Sequence, residues 1–344
     1  MPSIEPRPPA TRRATMREVA ERADVALKTV SRVLNGESGV SSKLRARVLS
    51  AAADLDYQVD LMAGNLRRAD RRSSTLGVLL ADVSNPFDSA ILRGVEEVAH
   101  ERGVVVFAAS SETRAERERL LVSAFTSRRV DGLVMMPSSP THDYLDRHVK
   151  RGTPFVFVDR PPVGLEVDSV LVDNVGGARL AAERLRALGH RRIAHFGDRL
   201  ELATARDRKA GFLAAIERAG DVDHRSVDGL VNEYAAEAAV HQMFDGPWRP
   251  TAMFTSQNLV TIGAIRALRR HGLENGIALI GFDDLPLADL IQPGISVVAQ
   301  DPLLMGRLAA EQLFARLGDR GRPASHVLVP TTFIARGSGE LPPT

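Results

Sequence analysis

Several acidic residues stand at the ends of predicted strands, where their carboxylates could take part in catalysis. Asp159 directly follows a short apolar run, and the pair Asp283 and Asp284 follows another. Carboxylates in such positions occur in hydrolases and kinases, so an enzyme is one interpretation of the pattern. Adjacent residues of an extended segment, however, point to opposite sides, and Asp283 and Asp284 would not readily act on one reacting atom.

Other signatures of an enzyme are missing from the sequence. It contains neither a glycine-rich phosphate loop nor the Gly-x-Ser-x-Gly turn of serine hydrolases. Its nine His residues show no paired metal-ligand spacing, and we interpret His190 and His195, near a predicted strand, as structural. The absence of Cys excludes disulfides, thiolate zinc sites and cysteine nucleophiles. We therefore expect no enzymatic activity, no cofactor and no metal site.

Length and composition predict a soluble protein of several domains. A chain of 344 residues exceeds the size at which one core keeps growing, so two or three cores are expected. Hydrophobic residues make up 44% and charged residues 26%, which is ordinary for a globular protein. No apolar run approaches the roughly 18 residues of a membrane span, and the amino terminus does not resemble a secretory signal. We expect a cytoplasmic, nucleoid-associated protein without a membrane partner.

The charge is unevenly distributed along the chain. Residues 1–74 contain 14 Lys or Arg and 9 Asp or Glu, a net charge of +5, whereas the remainder contains 31 and 34, a net charge of −3. Since phosphate contacts supply most of the sequence-independent affinity for DNA, the basic head suggests a polyanionic partner for that segment alone.

Three short helices are predicted within residues 15–58, after a Pro- and Arg-rich tail, 1–14, that we expect to be disordered. Thr15 and Glu18 have the spacing of a capping box, which predicts the start of the first helix. The second spans Leu27 to Leu34 after a tight turn, and the third runs from Ser41 or Ser42 to about Asp56. This pattern fits a helix-turn-helix, but also a generic helical bundle.

The residues around the second helix separate these alternatives. The segment Val25-Ala26-Leu27-Lys28-Thr29-Val30-Ser31-Arg32-Val33-Leu34-Asn35-Gly36 resembles the recognition-helix signature of the lactose/galactose repressor family of bacterial transcriptional regulators. The resemblance implies a helix-turn-helix that reads double-stranded operator DNA in the major groove. The implied DNA-contacting residues are Thr15, Leu27, Lys28, Thr29, Ser31, Arg32 and Asn35. Ala26 departs from the usual Ser, whose capping hydrogen bond is worth roughly 1 kcal/mol.

Residues 59–74 match the position of the family's hinge helix and linker. The resemblance implies that Leu66 wedges into the minor groove, and that the small Ala63 lets two hinge helices of a dimer approach closely. Gly64 is a departure that disfavours the helix by about 1 kcal/mol relative to Ala, so the hinge should form only with DNA. The alternative is that the segment simply extends a linker.

From residue 75 onward, short Val-rich runs alternate with amphipathic segments. This alternation predicts an α/β fold with doubly wound parallel sheets. The predicted strands are Leu76–Leu80, Val104–Ala108, Gly132–Met136, Phe155–Val158, Ile193–Gly197, Ala252–Thr255 and Ala278–Phe282.

The same family resemblance extends over nearly the whole chain. The segments that show this resemblance include Asp82-Val83-Ser84-Asn85-Pro86-Phe87, Val158-Asp159-Arg160-Pro161 and Gly281-Phe282-Asp283-Asp284. It implies that 75–344 form a two-lobed, periplasmic-binding-protein-like domain for effector binding and dimerisation. The N-lobe would comprise about 75–161 and 299–325, and the C-lobe about 162–298 and 326–340.

The cleft between such lobes holds the effector, just beyond the carboxyl ends of the strands. The implied effector-binding residues are Phe87, Asp88, Asp159, Arg206, Tyr234, Gln257, Asn258 and Asp283. Arg206 matches an Arg that grips sugar hydroxyls, and Asp88 stands where relatives often have an aromatic residue. These features favour a sugar or another polyhydroxylated effector. Structural ion pairing, or a core position for Phe87, remains the alternative for these residues.

We therefore predict a dimeric repressor that binds a palindromic operator and is controlled by a small-molecule effector. A transcriptional activator would use the same parts and stays open as an alternative. A stand-alone solute-binding protein would leave the first seventy residues unexplained. The segment 333–344 carries no heptad repeat, which argues against a tetramer built through a carboxyl-terminal coiled coil.

Overall fold

The chain forms two compact units, Met1–Ser73 and Ser74–Thr344. The structure, a computed structural model, describes residues 14–34, 37–57, 73–218 and 220–343. Most of the predicted tail and of the predicted hinge segment therefore falls outside the described residues, as do the predictions for Asn35, Ala63 and Leu66. Within them, no helix combines the length and apolar composition needed to cross a membrane.

The first unit contains the three predicted helices. They are α1 (Met16–Arg22), α2 (Leu27–Leu34) and α3 (Ser42–Asp54). The capping box predicted for α1 is present, because the Glu18 amide donates to Thr15 Oγ1 at 3.3 Å and the Thr15 amide donates to Glu18 Oε2 at 2.7 Å. The α3 helix ends two residues earlier than predicted, since Asp56 adopts a left-handed conformation with φ of 47°.

Apolar side chains from all three helices form the core of this unit. Its buried members are Val19, Ala20, Ala23, Val30, Val33, Val48, Ala51 and Ala52. The turn before α2 is closed by backbone hydrogen bonds, since the Val25 amide donates to the Ala20 carbonyl at 3.0 Å. Ala26 contributes its carbonyl, which accepts from the Thr29 amide at 2.8 Å. The predicted helix-turn-helix is therefore confirmed.

The described residues of the second unit form two six-stranded sheets. The first sheet contains β1 (Thr75–Leu80), β2 (Val105–Ser110), β3 (Gly132–Met135), β4 (Phe155–Val158), β5 (Asp168–Val172) and β11 (His326–Val329), in the order β11-β5-β4-β3-β1-β2. The second contains β6 (Arg192–Phe196), β7 (Asp223–Val227), β8 (Ala252–Thr255), β9 (Ala278–Phe282), β10 (Ser296–Ala299) and β12 (Thr332–Ile334), in the order β12-β10-β9-β8-β6-β7. Strand pairs are parallel except β10 with β12, as the doubly wound prediction requires.

Helices cover these sheets and complete the unit. They are α4 (Pro86–Glu101), α5 (Ala115–Ser127), α6 (Asp146–Lys150), α7 (Asn174–Ala187), α8 (Ala203–Glu217), α9 (Glu233–Asp245), α10 (Asn258–His271) and α11 (Pro302–Gly318). Two glycines bring α4 and α11 into backbone contact: a Cβ on Gly94 would lie 2.2 Å from the Leu303 carbonyl oxygen, and one on Gly306 would lie 2.1 Å from that of Ile91. This close packing fixes α4, whose amino-terminal end reaches the cavity described below.

The predicted lobe boundaries were wrong for two strands. Residues 168–172 and 326–329 were assigned to the C-lobe, but both lie in the first sheet, where β5 pairs with β4 and with β11. The physical reason is burial, because Val170 and Val172 pack into the same apolar core as Val156 of β4. We define the N-lobe by the first sheet and the C-lobe by the second. The chain crosses between them after 172, between 299 and 302, and between 329 and 332.

Candidate functional site

The outer face of α2 is the candidate nucleic-acid surface of the first unit. Leu27 is 44% exposed, although its side chain is large and apolar, and Lys28 beside it is exposed as well. Thr29 and Ser31 are half-buried. A helix that presents an apolar and a cationic side chain at its amino-terminal end has the contact chemistry that major-groove recognition uses.

Arg32, another of the predicted DNA-contacting residues, is held by the segment that follows α2. Its Nε donates to Glu37 Oε2 at 3.2 Å and its Nη2 donates to the Ser38 carbonyl at 2.8 Å. Thr15 is likewise engaged, because its hydroxyl donates to Glu18 Oε2 at 2.9 Å. The Nε and Nη2 donors of Arg32 are thus both engaged within the first unit.

The candidate ligand site of the second unit is a cavity of about 380 Å³. Six of the eight predicted effector-binding residues line it: Phe87, Asp88, Asp159, Gln257, Asn258 and Asp283. They follow strands of both sheets, so the cavity lies at the carboxyl ends of the strands, where ligands of open α/β folds bind. The remaining lining residues are Ala81, Asp82, Asn85, Glu112, Thr113, Met136, Arg160, Asp198, Arg199, Leu202, Thr204, Arg208, Val231 and Leu259.

The prediction for Arg206 was wrong. Its side chain is exposed, and Nη1 donates to the carbonyl groups of Leu200 at 2.8 Å and Glu201 at 2.9 Å. Arg208 lines the cavity instead. Both belong to α8, and two residues along an α-helix are separated by about 200° around its axis, so they face opposite sides.

Arg208 is the centre of a buried polar network. Its Nε donates to Asn174 Oδ1 at 2.7 Å, and Nη1 donates to the Ser256 carbonyl at 2.8 Å. The same Nη1 lies 3.5 Å from Asp283 Oδ2, and Gln300 Nε2 donates to the other oxygen of that carboxylate. Since a buried guanidinium needs its hydrogen bonds satisfied, this network fixes Arg208 and Asp283 at the cavity wall.

The prediction for Tyr234 was also wrong. Tyr234 is 68% exposed on α9, where the Arg266 guanidinium lies 5.5 Å from its ring centroid. Val231, three residues earlier, occupies the cavity wall instead. The cause is the turn at Asn232, whose side chain caps α9 by accepting from the Ala235 amide at 2.9 Å. Among the described lining residues, Phe87 is the single aromatic side chain.

Asp88 and Asp159 are two further buried carboxylates of the cavity lining. Asp88 Oδ2 accepts from the Asp82 amide at 2.7 Å, and burial raises the pKa of Asp88 to about 7. Burial likewise raises the pKa of Asp159, against the nearby guanidinium groups of Arg160 and Arg208, which lower it. Arg160 Nε lies 3.6 Å from Asp159 Oδ2, and Arg160 Nη1 donates to the Pro137 carbonyl at 2.9 Å.

Sequence reasoning missed several residues that line the cavity. Asn85 and Arg160 adjoin predicted residues, and Asp198 accepts a hydrogen bond from Gln257 Nε2 at 3.2 Å. The sequence did contain a signal for Arg208, because its spacing from Gly211 and Phe212 places the three residues on one face of a helix. A Cβ on Gly211 would lie 2.2 Å from the Val175 carbonyl oxygen, which shows that this face is the packed one.

The two His residues interpreted as structural lie outside the cavity lining. His190 contacts Thr251 Oγ1 at 3.0 Å and the Leu341 carbonyl at 2.9 Å. His195 is buried, and burial lowers its pKa to about 4. Within the described ranges, no cluster of three or more His, Asp or Glu has the geometry of a metal site.

Comparisons with known proteins match both units. A profile of bacterial regulatory proteins of the lacI family matches residues 15–60, and a periplasmic binding protein-like domain matches residues 182–339. The ribose operon repressor of Escherichia coli strain K12 is 30% identical over 332 residues, covering 94% of this chain and 99% of that repressor. The transcriptional repressor CytR of the same strain is 29% identical over 329 residues, covering 94% and 96%.

A solved structure adds a match at the level of the fold. The Lac repressor dimer bound to operator and the anti-inducer ONPF superposes with a TM-score of 0.82 at 27% sequence identity, covering 95% of this chain and 99% of that chain. The sequence signature of α2, the helix-turn-helix of the first unit and the two-sheet cavity of the second agree with these relatives. The chain belongs to the lacI family of bacterial regulatory proteins.

Proposed function

We propose that this protein is a sequence-specific DNA-binding transcription repressor whose affinity for a palindromic operator is controlled by a small polyhydroxylated effector. The observation that carries the proposal is the combination, in one chain, of an exposed recognition helix with a buried polar cavity. The curated relatives named above are transcriptional repressors, which supports this direction of control over activation. An enzymatic role has no such support.

For DNA, we assign base contacts to Leu27, Lys28 and Arg32 on α2. Lys28 and Arg32 donate to guanine acceptors in the major groove, and Leu27 meets apolar base edges such as the thymine methyl group. Thr15, Thr29, Ser31 and Asn35 would contact phosphate or bases. In a homodimer, Leu66 and Ala63 of the two hinge segments would act at the minor groove between the half-sites.

For the effector, we assign the cavity to a ligand rich in hydroxyl groups. Carboxylate, guanidinium and amide groups dominate the lining, and these groups pair with hydroxyls as acceptors and donors. Asp283 and Arg208 would form the fixed part of the site, while Phe87 offers an apolar ring surface. We infer that effector binding changes the separation of the two lobes, and thereby DNA affinity, in a protein acting at the cytoplasmic nucleoid.

Selection of sheared genomic DNA by the purified full chain, at near-physiological salt, tests the DNA-binding part. The expected product is a shared palindrome whose half-sites lie about one helical turn, roughly 10 bp, apart. A double variant, Lys28→Ala with Arg32→Ala, is the matched control and should not enrich this palindrome. Retention of DNA without any common sequence by the unaltered protein would contradict the proposal.

A further inference from the structure

The charges that line the cavity are not balanced. Six acidic residues line it, namely Asp82, Asp88, Glu112, Asp159, Asp198 and Asp283, against three basic ones, Arg160, Arg199 and Arg208. Three of the carboxylates face a guanidinium inside the cavity: Asp283 with Arg208 at 3.5 Å, Asp159 with Arg160 at 3.6 Å and Asp198 with Arg199 at 3.9 Å. Acidic residues are therefore in excess, and Asp82, Asp88 and Glu112 have no guanidinium partner inside the cavity.

Asp88 is the buried member of this excess. Asp88 is only 3% exposed. Within the described part of the chain, its carboxylate forms no ion pair within 4.0 Å. The charged groups that face it are Asp82 and Asp159, which disfavour its ionised form, and Arg160, which favours it. By contrast, Glu112 is paired outside the cavity with Arg117 at 2.7 Å.

Asp159 provides a second, independent indication of a missing ligand. It is 6% exposed, and its Oδ1 atom has no hydrogen-bond partner among the described residues. An unsatisfied buried carboxylate oxygen disfavours the folded state unless something donates to it. Asp159 lines the cavity, which places its side chain beside a bound ligand.

We infer that the effector carries a protonated amino group in addition to its hydroxyl groups, and that Asp88 and Asp159 receive it. An ammonium group has three donors and no acceptor, so it suits a site formed by carboxylates. The hydroxyl groups would then face the Arg208 and Asp283 network. This inference rests on the effector site of the proposed function. It makes Asp88 the residue that selects amino sugars or amino polyols over neutral and phosphorylated sugars.

Isothermal titration calorimetry at pH 7 on the full chain tests the inference with matched probes. The probes are D-glucosamine, D-galactosamine and D-mannosamine, each beside its neutral parent sugar, its N-acetyl derivative and its 6-phosphate. We expect at least one amino sugar to bind roughly tenfold or more tightly than its parent, which corresponds to about 1.4 kcal/mol. The Asp88→Asn variant should lose that preference for the amino sugar over its parent.

Two control variants keep the result interpretable. Asp245→Asn removes an equal charge from an exposed position at the end of α9, so the preference should persist. Asp88→Ser repeats the test if the amide variant does not fold.

Three outcomes would overturn the inference: no amino sugar binds, the parent sugar binds as tightly, or the preference survives in Asp88→Asn. Binding of neutral sugars alone would refute the amino group and leave the proposed function standing. If no sugar binds while operator DNA is still bound, the proposed effector class is refuted as well.

Discussion

The side chains of Asn85 and Asn258 form a reciprocal amide pair across the cleft. Asn258 Nδ2 donates to Asn85 Oδ1 at 2.7 Å, and Asn85 Nδ2 lies 3.4 Å from Asn258 Oδ1. Asn85 caps α4 in the N-lobe and Asn258 begins α10 in the C-lobe, while both line the cavity. Closure of the lobes and occupation of the cavity therefore involve the same atoms, which is how a ligand can bias the lobe arrangement.

Changing Asn258 to Ala should favour separation of the lobes in the ligand-free protein. The variant loses both amide contacts of the pair, and each is worth about 1 kcal/mol. Hydrogen exchange of the segments around 85–88 and 257–260 should then be faster. Asn232→Ala, which removes a helix cap with no contact across the cleft, is the control and should leave these segments unchanged. Equal exchange in the two variants would show that the amide pair does not hold the lobes.

Replacement of Arg208 by Lys should abolish most effector binding. Lysine keeps the charge but cannot reproduce the separate contacts of the guanidinium with Asn174 and Ser256. We expect effector affinity to fall by roughly 10-fold to 100-fold, given hydrogen bonds between charged groups. Arg206→Lys, two residues away on the exposed face of α8, should bind normally in the same calorimetric assay. Equal losses in both variants would contradict the assignment of Arg208.

Protein stability should show a pH dependence that originates from Asp88. Its pKa is raised from 3.8 to about 7 in the folded protein, so the folded state binds a proton more tightly than the unfolded state. Stability contributed by this group is present below about pH 4 and is lost as the pH rises through 7. The difference in unfolding free energy between the unaltered protein and Asp88→Asn should therefore decline between these pH values. Chemical denaturation at pH 4.5 to 8 measures this difference in unfolding free energy. A difference that stays constant over this range would refute the contribution of Asp88.

Arg32→Lys should separate specific from nonspecific DNA binding. Lysine retains the positive charge that meets phosphates, but it lacks the two-pronged geometry that matches guanine, worth about 1–3 kcal/mol per contact. Affinity for the selected operator should fall while affinity for a scrambled duplex stays within about threefold. The comparison variant Arg22→Lys, on the exposed side of α1, should affect both duplexes little. An equal loss of affinity for both duplexes would contradict a role for Arg32 in base recognition.

Local signals in the sequence were sufficient for the first unit. The capping box of Thr15 and Glu18, the apolar spacing of Val30 and Val33, and the family signature together predicted α1 and α2 correctly. Such features depend on residues three or four positions apart, so they can be predicted from the sequence alone.

Predictions failed where the answer depends on distant contacts or on an unmarked helix start. The pairing of β5 with β11 joins segments more than 150 residues apart, and no local pattern encodes it. The α8 helix begins after Leu202, which makes no side-chain capping hydrogen bond, so the orientation of Arg206 and Arg208 lacked a reference point. The burial of Asp88 likewise follows from tertiary packing, not from its neighbours in sequence.

Control of DNA binding by the effector is tested most directly by titrating the selected operator in the presence and absence of effector, with cavity occupancy measured in parallel by calorimetry. A saturated cavity should change operator affinity by about 5-fold to 150-fold, and the Arg208→Lys variant should lose this change while still binding DNA. Operator affinity that stays the same with the cavity fully occupied would contradict it, because the two units would then be uncoupled.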